Sequence, residues 1–228
     1  ARLGLVVIAL LFSDSSYFIQ MSTISTLIMF MTMLSLISDF SYILLDVRDR
    51  NMILTKPVNE KTLSMAKALH ISIYIISISL ALIGPSLIAS LFIKGVLFFI
   101  IYFIEVILIN LFSISLTVLL YFFVLRFFDG EKLKDIINYF QIALSIVMTV
   151  GYQLFGRVFN LVDLEKSINI SWYHYLIPSA WFAAPFELFL NNSNKYIYLS
   201  LMSIIIPIIS IGIYIKLMKS FEVNLQKL

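Results

Sequence analysis

The sequence has no cysteine, only two histidines and a charged fraction of 13% over its 228 residues. The lack of cysteine excludes disulfide scaffolds, thiol catalysis and thiolate metal sites. The histidines, His70 and His174, lie far apart in the sequence and make a poor metal set. No G-x-x-x-x-G-K-[ST], H-E-x-x-H or G-x-S-x-G motif occurs. These absences predict that the chain is not an enzyme, hydrolyses no nucleotide unaided and carries no cofactor.

The sequence is rich in apolar residues. They make up 61% of the chain, and the mean hydropathy is +1.01. A soluble domain, by comparison, is about half apolar and about a quarter charged. This composition excludes a soluble globular domain, a nucleic-acid-binding arm and a disordered tail, and no nucleic-acid partner is expected. The sequence therefore predicts an integral membrane protein, with the lipid bilayer as its surroundings.

Six stretches carry no charged residue, and each holds at least 20 residues. A helix of about 20 residues crosses roughly 30 Å of hydrocarbon. The alternating segments of about ten residues that mark membrane β-strands are absent. The predicted fold class is therefore an all-α integral membrane protein. The charge-free stretches are Ser15–Ser38, Ala68–Ile93, Val106–Leu125, Ile136–Gly156, Ser167–Phe186 and Tyr196–Ile215.

About six transmembrane helices are predicted in a single domain, residues 1–228. The first contains only ten apolar residues, Leu3–Phe12. It is either the end of a helix whose start is missing, or it continues through Tyr17–Met21 with Asp14 buried. The first alternative is preferred, so we expect a fragment. The other predicted spans are Met21–Leu45, Leu69–Phe92, Val96–Leu125, Ile136–Phe155 and Tyr196–Met218.

The stretch Ser167–Phe186 differs from the other charge-free stretches. It contains Pro178 and Pro185 together with several amphipathic rings, and such rings favour the boundary between membrane and water. We interpret it as an outer interfacial or re-entrant hairpin. With six spans, twelve of the sixteen basic residues fall on the side of the chain's start and four on the other side. The positive-inside rule then places both ends in the cytoplasm.

The connection between the second and third spans has an unusual pattern. A charged cluster beginning at Asp46 precedes an apolar trio, Met52–Leu54, and then a break at Pro57. Asn59 is a plausible N-cap and Glu60 suits the first turn of a new helix that continues into the next span. A short piece with apolar side chains and charged flanks is suited to docking in a groove of a cytoplasmic partner. The alternative is an ordinary solvated loop.

The pattern Leu54-Thr55-Lys56-Pro57-Val58-Asn59, followed by Thr62-Leu63 and Ala66-Lys67, resembles the permease subunits of ABC-2 type exporters. The resemblance covers about 25 residues as a motif and nearly the whole chain as architecture. The sequence differs from the family pattern at the amino end, where the cytoplasmic helix expected before the first span is missing. The resemblance implies a multi-pass protein of the bacterial plasma membrane. Its partners would be a cytoplasmic ATP-binding subunit and a second permease subunit, in a homo- or heterodimer.

The resemblance also implies roles for particular residues. Val47–Leu54 would be the coupling helix that takes up motion from the ATPase, and the turn that follows the fourth span would be a second contact. A capped helix start is the alternative interpretation of that turn. The coupling residues would be Val47, Arg48, Arg50, Met52, Ile53, Leu54 and Pro57, and the second contact would be formed by Asp129, Glu131 and Lys132.

Polar side chains within the predicted spans are candidate functional residues, because polar groups at membrane depth are costly. Glu105 lies ten residues into its span, and Asn110 follows five residues later. Asn138 and Gln141 share one face of the fifth span. The four residues either line a translocation path or dimer seam, or they join helices by hydrogen bonds. An ion-gradient-driven secondary carrier and a non-transporting membrane scaffold are the alternatives to an ATP-driven exporter.

Overall fold

The computed structural model describes residues 2–13, 15–45, 60–127, 135, 138–147, 149–150 and 170–225. Within these residues all regular structure is helical, as the composition predicts, and no strand occurs. The helices are α1 Arg2–Leu11, α2 Tyr17–Leu45, α3 Glu60–Ile93, α4 Val96–Phe127, α5 Asn138–Val147, α6 Pro178–Leu190 and α7 Ile197–Leu225, with 3-10 turns at Trp172–Leu176 and Asn194–Tyr196.

Three of the described helices are long and apolar enough to cross a membrane, at Tyr17–Ile37, Val96–Leu120 and Asn194–Ile213. These three helices are compatible with a membrane protein, and they are half of the six spans that the sequence predicts. α3 has 34 residues and is the longest described helix, but it is not one of these three. Its segment Ile83–Ile93 forms a shorter apolar helix. The fifth predicted span is described only in part, as α5. The count of six spans stays a prediction.

Of the four long described helices, α3 runs in the opposite direction to α2, α4 and α7. Near the start of α2, the Tyr17 ring lies 5.2 Å from the Lys94 ammonium, just after α3, and 5.8 Å from the Phe98 ring, near the start of α4. The Phe18 ring lies 5.2 Å from that of Tyr196, just before α7. α2, α4 and α7 therefore begin, and α3 ends, at one end of the bundle, which we call the Tyr17 end.

A turn of two residues, Lys94 and Gly95, joins α3 to α4 at the Tyr17 end. Gly95 has φ +90°, a conformation that glycine adopts without the steric cost that a Cβ atom brings. This glycine ends α3 and lets α4 fold back against it.

Residues 170–190 form a helical hairpin whose two arms meet the same residue of α2. The His174 ring lies 5.7 Å from the Phe18 ring, and Glu187 Oε1 accepts a hydrogen bond from the Phe18 backbone N–H at 3.0 Å. Between these contacts, Trp181 packs at 6.0 Å against Phe112, sixteen residues after α4 begins. The hairpin therefore starts and finishes at the Tyr17 end and reaches into the bundle between.

An aromatic core joins the hairpin to the long helices. The Phe98 ring lies 4.9 Å from Phe186 and 6.1 Å from Tyr102, and Phe112 lies 5.9 Å from Phe182. Tilted and edge-on ring pairs of this kind add about 0.5–1.5 kcal/mol each to the area that they bury. These contacts hold α6 in the centre of the described bundle, although its 13 residues are too few to cross a membrane.

The distribution of polarity is the reverse of that in a soluble protein. Large apolar side chains cover much of the outside, with Phe92 at 82% exposure and Ile208 at 60%. Many serine and threonine hydroxyls are buried. Nine of them donate to a backbone carbonyl three or four residues earlier, so they are satisfied without water. This arrangement suits a bilayer, where the surroundings are apolar. The nine are Thr23, Thr32, Ser86, Ser90, Ser113, Ser115, Thr117, Ser203 and Ser210.

Candidate functional site

The residues expected to contact an ATPase lie outside the described part of the chain. This applies to Val47, Arg48, Arg50, Met52, Ile53, Leu54 and Pro57, and to Asp129, Glu131 and Lys132. The helix that follows the first of these segments is described from Glu60 onward, and its predicted N-cap, Asn59, lies outside the described residues.

Glu105 is buried between α4 and α7, with 4% of its surface exposed. Its Oε1 atom accepts a hydrogen bond from Ser203 Oγ at 3.2 Å. Its Oε2 atom is buried and has no hydrogen-bond partner. A buried polar atom without a partner costs free energy, so this carboxyl group is the strongest candidate functional group among the described residues.

The surface of α7 that faces Glu105 carries further oxygen atoms. Ser203 Oγ also lies 2.9 Å from the Ser200 carbonyl oxygen, and the Ser200 hydroxyl is buried without a partner. Pro207 lies four residues after Ser203 and is buried on the same face of the helix. The sequence analysis did not identify these three residues. Their spacing of three and four residues on one helix face is the signal that could have identified them.

Asn110 does not belong to the Glu105 site. Its Oδ1 atom accepts a hydrogen bond from Ser79 Oγ of α3 at 2.9 Å. Five residues on a helix correspond to a rotation of about 140° beyond a full turn, so Glu105 faces α7 while Asn110 faces α3. A second link between α3 and α4 joins Ser86 Oγ to the Tyr102 hydroxyl at 3.1 Å. These contacts favour the interpretation of Asn110 as a residue that joins two helices.

Asn138 and Gln141 lie on α5, as the sequence predicts. The side chain of Asn138 is exposed and that of Gln141 is half-buried. Neither residue is brought next to Glu105 or Asn110 by a described hydrogen bond. The four predicted lining residues therefore do not form one cluster within the described residues.

Glu187 is a second buried carboxyl group, and the sequence analysis did not identify it. Besides the bond from the Phe18 backbone, its Oε2 atom accepts a hydrogen bond from Asn191 Nδ2 at 2.7 Å. Phe18 is the second residue of α2, where free backbone N–H groups and the helix dipole favour an anion. Glu187 thus ties the hairpin to the start of α2. Its position inside an otherwise apolar segment was the available signal.

A groove of about 440 Å³ separates the hairpin from α2. Its walls are mainly apolar and include Phe30, Ile177 and Pro178. The hydroxyls of Ser22 and Ser179, which also line it, lie 3.3 Å apart and join the two walls. The groove is therefore suited to an apolar chain rather than to a charged ligand.

Among the described residues, no three His, Cys, Asp or Glu side chains come close enough to hold a metal ion together. In comparisons with known proteins, no family model, no curated protein and no solved structure matches the chain.

Proposed function

We propose that the chain is the membrane-spanning subunit of an ATP-driven exporter of the ABC-2 type, in a bacterial plasma membrane. The observation that carries this proposal is the connection between α2 and α3, with its charged cluster, apolar trio and proline followed by a new helix. Six spans, a second permease subunit and a separate ATPase belong to the same proposal.

The directions of the helices support it. α2 ends at Leu45 and α3 begins at Glu60, at the end of the bundle opposite the Tyr17 end. α4 begins at the Tyr17 end, so its last residue, Phe127, lies at that opposite end as well. Leu45, Glu60 and Phe127, the described residues next to segments 46–59 and 128–134, therefore lie at the same end of the bundle. One cytoplasmic partner there could contact both segments.

In this proposal the ATPase supplies the energy, because the chain has no phosphate-binding loop. Met52, Ile53 and Leu54 would bury apolar area in a groove of the ATPase. Arg48 and Arg50 would orient the two subunits, since charges at the rim of an interface act mainly on association rate and salt dependence. Movement of the docked segment would reach α2 and α3 directly, because the segment joins them.

The decisive experiment is purification of the tagged chain from membranes that contain its natural partners. A co-purifying protein with a G-x-x-x-x-G-K-[ST] loop, identified by mass spectrometry, is expected. Burial of a leucine is worth roughly 1.5–3 kcal/mol, so Leu54→Asp should weaken ATPase binding at least about tenfold.

The matched control for that variant is Asn51→Asp, which adds the same charge to the same segment without removing an apolar side chain. It should retain the ATPase. If Leu54→Asp instead retains the ATPase and its ATP hydrolysis, segment 46–59 is only a solvated connection and the proposal loses its main support.

An ion-gradient-driven carrier is the competing function, and the buried Glu105 carboxyl is the observation that favours it. The two functions differ in their energy source. Transport by proteoliposomes that contain the chain alone, driven by a sodium or proton gradient, would support the carrier. A requirement for the ATPase and ATP would support the exporter.

A further inference from the structure

The cluster around Glu105 contains more hydrogen-bond acceptors than donors. An ionised carboxyl group only accepts hydrogen bonds, and a serine hydroxyl has a single proton to donate. Ser203 Oγ lies 3.2 Å from Glu105 Oε1 and 2.9 Å from the Ser200 carbonyl oxygen, so its one proton is shared between two acceptors. Glu105 Oε2 and Ser200 Oγ have no partner at all, although both are buried.

Pro207 leaves the carbonyl oxygen of Ser203 without its usual hydrogen-bond donor. In a regular helix, the N–H of residue 207 would donate to the carbonyl of Ser203, but proline has no N–H. Ser200, Ser203 and Pro207 follow one another at spacings of three and four residues, and all three are buried. The Ser203 carbonyl oxygen therefore loses its regular helical donor on the side of α7 that faces Glu105. Broken helices with free carbonyls are a known means of binding alkali cations inside membranes.

The residues that lie near Glu105 and Ser200 along their helices are mostly apolar and buried. They include Tyr102, Val106 and Ile109 of α4 and Leu199 of α7. An unpaired charge in such surroundings is costly. One monovalent cation would neutralise one carboxylate, whereas a divalent ion would leave a net positive charge in the same apolar space.

We propose that Glu105, the two serine hydroxyls and the Ser203 carbonyl form a binding site for a sodium-sized monovalent cation between α4 and α7. The carboxylate supplies the charge, and the hydroxyl and carbonyl oxygens complete a shell of hard ligands. The site joins two long helices, so its occupation stabilises their packing. It does not depend on whether ATP or an ion gradient drives transport.

The test measures unfolding of the full chain, reconstituted in lipid nanodiscs, in NaCl and in choline chloride at equal ionic strength. Binding to the folded state alone raises stability with ligand concentration until the site is saturated. We expect the midpoint temperature to rise with sodium and to reach a plateau, and direct measurement with radioactive sodium to give one ion per chain. Fluorescence can report the transition, because Trp181 is 8% exposed and packs on α4.

Two variants separate the site from general packing. Glu105→Gln keeps the shape of the side chain and should abolish the sodium-dependent rise. Pro207→Ala restores an N–H donor for the Ser203 carbonyl, so it should favour helix α7 yet raise the half-saturating sodium concentration by about tenfold or more. A merely structural role of Pro207 would not produce opposite effects on stability and on sodium affinity.

Glu187→Gln is the matched control, because it changes the other buried carboxyl group. It should alter the baseline stability and leave the sodium dependence unchanged. A wild-type chain whose unfolding ignores sodium, or a Glu105→Gln variant that keeps the sodium-dependent rise, would overturn the proposal. So would stability that follows pH alone through Glu105, because the site would then hold a proton rather than a metal cation.

Discussion

The carboxylate of Glu187 accepts a hydrogen bond from the backbone N–H of Phe18 at 3.0 Å, across 169 positions of sequence. Glu187 lies in the second arm of the hairpin, and it therefore caps the first turn of α2. The His174 ring, in the other arm, packs on the Phe18 side chain. One residue at the start of α2 thus holds both arms of the hairpin.

Removal of this cap should destabilise the protein. Glu187→Ala leaves a buried N–H group without an acceptor and should lower the free energy of unfolding by about 1.5–3 kcal/mol. Glu187→Gln keeps an amide oxygen as acceptor and should cost less. Equilibrium unfolding in mixed micelles with increasing SDS measures the difference. Equal stability of Glu187→Ala and wild type would show that the capping bond adds nothing to stability.

Two glycines should respond to alanine in opposite directions. Gly95 has φ +90°, where a Cβ atom is strained, so Gly95→Ala should lower stability by about 1 kcal/mol or more. Gly84 lies inside α3, and no atom beyond its chain neighbours and its own turn of helix lies within 4 Å of an added Cβ, so Gly84→Ala should raise stability by about 0.5–1 kcal/mol. The same unfolding measurement compares both, and the same sign for the two changes would contradict this account.

The two hydrogen bonds between α3 and α4 should make small, separable contributions. Tyr102→Phe removes the bond to Ser86, and Asn110→Ala removes the bond from Ser79. Hydrogen bonds between membrane helices average about 0.6 kcal/mol. A double-mutant cycle of Ser79→Ala with Asn110→Ala should return a coupling near this value. A coupling of zero would mean that Asn110 does not join the helices.

Topology can be tested by cysteine labelling, because the chain has no cysteine of its own. Lys94 and Asn194 lie at the Tyr17 end, which the charge distribution predicts to be outside. Lys94→Cys and Asn194→Cys should react with a membrane-impermeant thiol reagent in intact cells. Asn51→Cys and Lys132→Cys should react only after the membrane is opened. The reverse pattern would contradict the predicted orientation.

The sequence predicts the positions of the long helices well, because charged residues and glycine mark their ends. α4 begins at Val96 in both prediction and structure, and α3 ends at Ile93, one residue after the predicted span. α2 begins four residues earlier than predicted, at Tyr17. The charge-free stretches locate the helices but not all of their ends: the stretch in α4 starts at Val106, ten residues after the helix begins, because Glu105 lies inside the helix.

The partners of the buried polar groups could not be predicted in the same way. The long helices are apolar all round, so no polar face shows which side is buried. Glu105 and Ser203 are 98 residues apart, and Phe18 and Glu187 are 169 residues apart. Serine gives no signal of its own, because it can bond to its own helix as readily as to a neighbour. Only the three-dimensional packing assigns these pairs.

The nine buried hydroxyls that donate to their own helix have a consequence for motion. Each such bond stays intact when its helix rotates or slides against a neighbour, because donor and acceptor move together. The links between Ser79 and Asn110, and between Glu105 and Ser203, break under the same displacement. Among the described hydrogen bonds of its buried side chains, only the few between helices therefore oppose a rearrangement of this bundle, and they do so in addition to the packing of the aromatic core.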